Sequence, residues 1–156
     1  MRELVQRHAG RLQACSLRLL GDAALAEEVV QDVFTTMLRA GGTFRSDASL
    51  GTWLYAIAVN RCRAIRRRSD FDAVTTAIDA RVVDAAPGPH HHVELRERQA
   101  VLARAINALP DDMREIVALR FAGERSYDEI AEVLGCAPGT VASRLHRALR
   151  SQRDRD

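Results

Sequence analysis

Residues 126–150 read SYDEIAEVLGCAPGTVASRLHRALR, and two helices joined by a tight turn account for the pattern. Ser126 stands three residues ahead of Glu129, the spacing of a capping box that satisfies the first free amides of a helix. Ile130, Ala131, Val133 and Leu134 cover one side of that helix, and Ala131 is small where two helices must approach. Gly135 can take the left-handed conformation that ends a helix, and Pro138, Gly139 and Thr140 launch the next one. There Val141, Leu145, Ala148 and Leu149 recur at helical spacing, which predicts an apolar side. With Val141 and Leu145 packed inward, Ala142, Ser143, His146, Arg147 and Arg150 face outward. Such a face suits a DNA major groove, because Arg bonds guanine in bidentate fashion and also neutralises phosphates. A helical hairpin with a merely solvated polar face shares the periodicity. Cap, turn and second helix agreeing over 25 residues favour the DNA reading.

The rest of the chain fits a helical protein. Its 156 residues could form one domain or two small ones, and 47% apolar residues suffice for a core. Aromatics are only 4%, and Ala, Leu, Arg and Glu dominate long stretches, which favours helices over sheets. The net charge of +2 hides an asymmetry. Residues 1–68 hold 11 Arg against 6 acids, residues 69–93 hold 1 against 4, and residues 94–156 hold 11 against 11. The first block is therefore basic and the middle acidic. Cys15, Cys62 and Cys136 lack metal-ligand or redox-motif spacing, so reduced thiols in a cytoplasmic protein are expected. The apolar run Leu50–Val59 is too short to span a bilayer, and no membrane insertion is expected.

Leu4, Val5, Leu12, Cys15, Leu19 and Leu20 give the segment from Arg2 to Leu20 a rough helical period. A second helix opens at Gly21-Asp22, with Glu27 and Glu28 suiting its first turns, and stops at Gly41-Gly42. After the polar loop FRSDAS, residues 50–68 (LGTWLYAIAVNRCRAIRRR) predict a third helix, apolar early and basic late. Residues 69–93 lack a sustained period and contain PGP and His90–His92, which predicts a flexible acidic tether. Breaks at Leu109–Asp112, Ala122–Ser126 and Gly135–Gly139 divide the last block into four helices.

The segments AEEVVQDVFTTMLRA (26–40), TFRSDASLGTWLYAIAVNRCRAIRRR (43–68) and LPDDMREIVALRF continuing to residue 150 occur in that order. Together they resemble the extracytoplasmic-function sigma factors, group IV bacterial initiation factors. The likeness covers nearly all the chain outside 69–93. It implies an all-α fold of two small helical domains: residues 1–68 for core RNA polymerase binding and minus-ten melting, residues 69–93 as flexible linker, residues 94–156 for the minus-35 element. It also implies that the chain opens inside the family's second helix, without the short helix usually ahead of it. The implied polymerase-facing residues are Glu28, Gln31, Asp32, Val33 and Phe34; Val33 and Phe34 as core, with the acids merely solvated, is the less favoured alternative. The implied minus-ten residues are Phe44, Arg45, Ser46, Asp47, Asn60, Arg61, Arg66, Arg67 and Arg68. Trp53 and Tyr55 could stack on bases there, but Trp53 sits in an apolar run that suits a core. The basic run, which includes Arg63, has no acid between Ala48 and Ser69 and reads as a phosphate track. The implied minus-35 contacts are Thr140, Ala142, Ser143, Arg144, His146 and Arg147. Ala142 departs from the Arg or Lys often found there, so one possible base contact is missing. A regulating anti-sigma factor is a further implied partner.

Other readings find less support. A stand-alone regulator needs a dimerisation element or effector pocket, and neither is visible. An enzyme needs a nucleophile set, a glycine phosphate loop or a metal site; none stands out, so no catalytic residue, cofactor or metal is expected. Consecutive His90–His92 cannot easily share one ion, which suits a linker better than a metal sensor.

Overall fold

The computed structural model describes residues 2–41, 47–75 and 91–154, and every regular element among them is helical. Helix α1 (Arg2–Leu20) turns Leu12, Cys15 and Leu19 inward. Helix α2 (Ala23–Arg39) starts at Asp22, whose carboxylate accepts the Leu25 amide at 3.0 Å. Its first turn holds no acid, and Glu27 and Glu28 fall in its second turn. Ala26, Val29, Val33 and Met37 form its buried stripe.

Helix α3 (Asp47–Thr75) begins three residues before the expected start and continues well past Arg68. Its tail SDFDAVT contains neither Gly nor Pro, so nothing local stops the helix where the acidic composition begins. The expected tether thus loses residues 69–75 to α3. Helix α4 (His91–Asn107) begins just after Pro89 and takes the tether's other end. Residues 76–90, with His90, lie outside the described residues.

The second block has the expected four helices: α4, α5 (Asp111–Val117), α6 (Tyr127–Leu134) and α7 (Pro138–Arg153). Buried Arg114 joins α4 to α5. Its guanidinium donates to the carbonyls of Ile106 (3.2 Å), Asn107 (2.8 Å) and Leu109 (2.8 Å) at and just past the end of α4, where the Ile106 carbonyl also accepts the Leu109 amide at 3.1 Å. Burial holds its pKa below the ordinary arginine value. Past Val117 the helix widens into a π-helical turn, Ala118–Ala122.

One apolar cluster spans both blocks. It joins Leu12, Val29, Leu54 and Val59 to Ile116, Leu119, Ile130 and Leu145. The expected tether therefore connects blocks that the structure holds face to face. Fully buried Tyr55 lies at the joint, its hydroxyl donating to the Gly123 carbonyl at 3.3 Å. The Arg125 guanidinium stacks 4.8 Å from the centre of the Tyr55 ring. Arg11 reaches Glu124 at 2.8 Å, and Glu124 has a left-handed backbone (φ 53°). Cys15, Cys62 and Cys136 are free thiols; burial pushes Cys62 up to about 11 and Cys15 further.

Gly123 makes this joint possible. A Cβ there would lie 2.8 Å from the Leu119 carbonyl oxygen and 3.0 Å from Tyr55 Cε1. Gly123→Ala should therefore destabilise the chain by about 1–3 kcal/mol, the usual cost of overpacking. Gly10, inside α1, has nothing within 4 Å of such a Cβ, so Gly10→Ala should stabilise by about 0.5–1 kcal/mol. Thermal melts of the two variants should shift in opposite directions.

Candidate nucleic-acid interface

The helix-turn-helix forms from the residues that predict it. Ser126 Oγ accepts the Glu129 amide at 3.1 Å, and the Glu129 carboxylate accepts the Ser126 amide at 3.2 Å, completing the capping box. Gly135 ends α6 in the left-handed conformation (φ 66°, ψ 38°), and Pro138 is the first residue of α7. Val141, Leu145 and Ala148 are buried, whereas Ser143, His146, Arg147 and Arg150 are exposed. Leu149 departs from the expected apolar side and lies 48% exposed, because the inward stripe passes through Ala148. Thr140 and Ala142 are half-buried, and the Ser143 hydroxyl donates to the Thr140 carbonyl at 3.1 Å. Arg144 is held by Asp112 at 3.4 Å. The outward face is thus a continuous strip of polar and cationic side chains on a helix fixed from below.

In the first block, Asn60 and Arg61 are exposed midway along α3, where its buried residues give way to charge. Arg67 and Arg68 are exposed one to two turns on. Arg66 differs from its neighbours: it is half-buried, donating to the Leu19 carbonyl at 2.8 Å and approaching Asp111 at 3.5 Å. Phe44, Arg45 and Ser46 lie outside the described residues, and Asp47 is the first residue of α3. Tyr55 is buried against the second block, so base stacking by Tyr55 is overturned. Trp53 is half-buried and packs on the core.

On α2, Glu28 and Gln31 are exposed and Asp32 and Phe34 half-buried. Val33 corrects the expectation. It is fully buried in the stripe with Val29 and Met37, so its side chain offers no surface to a partner. Asp32 pairs with Arg61 at 3.7 Å, which joins the acidic patch of α2 to the start of the basic run.

The periodicity leaves some functional geometry unread. Arg63 grips Glu115 in a two-point pair, Nε to Oε1 at 2.6 Å and Nη2 to Oε2 at 2.6 Å. The hydrogen bonds to Glu115 raise the Arg63 pKa above its ordinary value. These partners lie 52 residues apart, so helical spacing cannot pair them. A carboxylate at 115, directly ahead of the apolar run IVAL, is the one hint in the sequence. Among the described residues no group of three or more His, Cys, Asp or Glu could hold a metal, and no helix is long and apolar enough to cross a membrane.

Comparison with known proteins agrees with this arrangement. The sigma-70 region 2 family matches residues 4–71, and the sigma-70 region 4 family matches residues 99–151. The RNA polymerase sigma-H factor of Pseudomonas aeruginosa is 34% identical over 154 residues, covering 93% of this chain and 80% of that protein. The ECF RNA polymerase sigma-E factor of Escherichia coli K12 is 36% identical over 130 residues, 78% of this chain and 68% of its own length. Among solved structures, the sigma factor RpoE of Bartonella quintana in complex with the anti-sigma factor NepR superposes with a TM-score of 0.75. It is 25% identical, over 96% of this chain and 91% of that one. CnrH in complex with the cytosolic domain of CnrY gives 0.71 at 25% identity, over 99% and 88%. Helices, helix-turn-helix and relatives converge, and the chain belongs to the extracytoplasmic-function sigma factors, RNA polymerase subunits that direct promoter-specific transcription initiation.

Proposed function

We propose that this sigma factor divides its work among three surfaces. Glu28, Gln31, Asp32 and Phe34 of α2 dock on core RNA polymerase, where an acidic patch with an aromatic at its edge suits a partner helix carrying Arg. Asn60, Arg61, Arg67 and Arg68, with the segment Phe44–Asp47, take the melted minus-ten strand: an amide for a base edge, cations for the backbone. The outer face of α7 reads the minus-35 element as duplex. Ser143, His146 and Arg147 face the bases, and Thr140 and Arg144 lie nearest phosphate. Ala142 brings no hydrogen bond of its own, so base preference opposite it rests on shape and apolar contact. The observation that carries the reading is the division of α7 into buried Val141 and Leu145 and exposed Ser143, His146 and Arg147.

The factor works in the cytoplasm, where polymerase and promoter are. It binds and melts without a cofactor or a chemical step of its own. Restraint comes from an anti-sigma factor. The RpoE neighbour, held by NepR, supports that assignment.

Reconstitution with bacterial core polymerase and a promoter library randomised at the upstream element tests the whole reading. Arg147→Ala should keep its melting temperature and polymerase affinity, yet lose about 1–3 kcal/mol at one base pair and relax preference there. Leu145→Ala should instead destabilise the fold by about 2–5 kcal/mol by leaving a cavity in the core. If Arg147→Ala leaves the preferred sequence untouched, α7 does not read DNA through this face.

The phosphate track makes a separate prediction. Arg67→Ala with Arg68→Ala should weaken open-complex formation alike on all promoters. It should also flatten the log–log salt dependence by about 0.7–0.9 for each phosphate that is no longer neutralised. An unchanged slope would assign both residues to a solvated helix end.

A further inference from the structure

The arginines of α7 are not held alike. Arg147, Arg150 and Arg153 are exposed, whereas Arg144 is half-buried. Arg144 is also the one with an acid beside it among the described residues: its Nε lies 3.4 Å from Asp112 Oδ2. It follows Thr140 by one helical turn, on the same side of α7.

Asp112 stands on fixed ground. Its Oδ1 accepts the Met113 amide at 2.9 Å in the first turn of α5, leaving Oδ2 for Arg144. Helix α5 is itself fastened by buried Arg114, which donates to the Asn107 and Leu109 carbonyls at 2.8 Å. A guanidinium approached at Nε is met on the edge nearest its aliphatic stem. The terminal amino groups then point away from the acid, and they are the donors that pair with a phosphate.

Two effects of such an acid oppose each other. A carboxylate near the path of DNA repels the phosphates. It also spares Arg144 the rotamer freedom that an unheld arginine gives up on binding. The repulsion is screened, because the Asp112 side chain is 48% exposed. The ordering belongs to the side chain itself and is not screened. Ordering wins.

We propose that Asp112 is a positioning residue for promoter recognition, holding Arg144 in the conformation that grips a phosphate and so setting the register of α7 on DNA. Arg147 and Arg150 carry no such brace and adjust to the groove. A fixed register weighs more in this chain because Ala142 contributes no hydrogen bond to it. The proposal deepens the reading that α7 faces DNA and rests on it, but its conformational half can be tested without DNA.

That half is measured on the full chain by side-chain relaxation of the arginine Nε groups. Arg144 should be ordered while Arg147 and Arg150 move freely on the nanosecond scale. Equal mobility of the three would overturn the brace. The other half uses holoenzyme reconstituted with bacterial core polymerase on a promoter that the factor transcribes. Asp112→Asn should keep its melting temperature, as an exposed substitution does. It should nevertheless weaken promoter binding about two- to fivefold, the worth of an exposed ion pair. Asp112→Glu should restore most of that loss. In the Arg144→Ala background, Asp112→Asn should cost nothing further. Binding that is unchanged or tighter in Asp112→Asn would overturn positioning, the second result making Asp112 a repelling charge. So would losses that add in the double variant, since Asp112 would then act through something other than Arg144. Failure of the underlying reading looks different: Arg144→Ala and Arg147→Ala would both leave promoter use untouched.

Discussion

Tyr55 sits where the two blocks meet, and its burial sets a demand on the residues around it. A phenol removed from water needs a partner for its hydroxyl and a wall for its ring. The Gly123 carbonyl supplies the first, and the Arg125 guanidinium covers one face of the ring. Both come from the stretch that leaves the π-helical turn, where Glu124 takes a left-handed backbone and Arg11 pins its carboxylate. Arg125 also donates to the Gly123 carbonyl at 3.0 Å, so the oxygen facing Tyr55 is held in place. The apolar side of α3 is thus completed by residues nearly 70 positions away. The two blocks share one core without being one folding pattern in sequence.

The same closure divides the basic run between two duties. A helix with arginines at 63, 66, 67 and 68 cannot aim them all one way, since successive residues turn by about 100°. Arg63 and Arg66 fall on the side facing α5 and find acids there. Arg67 and Arg68 fall toward solvent. A continuous phosphate track, as the bare sequence suggests, is therefore only half available. The acids that answer it lie in the second block, whose charges balance overall, so a count by domain hides the match.

Local signals in the sequence were legible wherever the answer lay within one or two helical turns. Ser126 with Glu129, Gly135 and Pro138 define the helix-turn-helix because caps and left-handed glycines act on their own neighbours. Val141 and Leu145 follow for the same reason. Boundaries failed where composition stood in for a stop signal: SDFDAVT looks like linker by charge, yet it contains no helix breaker. Val33 and Tyr55 failed differently. Their faces depend on which partner covers them, and helical spacing leaves the choice between core and interface open until the neighbouring helix is placed. Arg63 with Glu115 and Tyr55 with Gly123 are pairings across 52 and 68 residues, beyond any periodic pattern.

Helix α7 and the seam are mechanically connected through α5. Arg114 fastens α5 to the end of α4, Glu115 fastens it to α3, and Asp112 reaches α7. Gln152, near the end of α7, donates to the Ala105 carbonyl of α4 at 3.1 Å, which closes the circuit within the second block. Of the partners of α5, those on α4 and α7 lie within the second block, whereas those on α3 lie across the seam. The buried Arg114 bonds make that unit stiff, because breaking them would strip a desolvated cation of its backbone acceptors and leave the Asn107 and Leu109 carbonyls without it. The helix-turn-helix is therefore braced within its own block, and the Glu115 and Asp111 pairs carry α5 across the seam to α3.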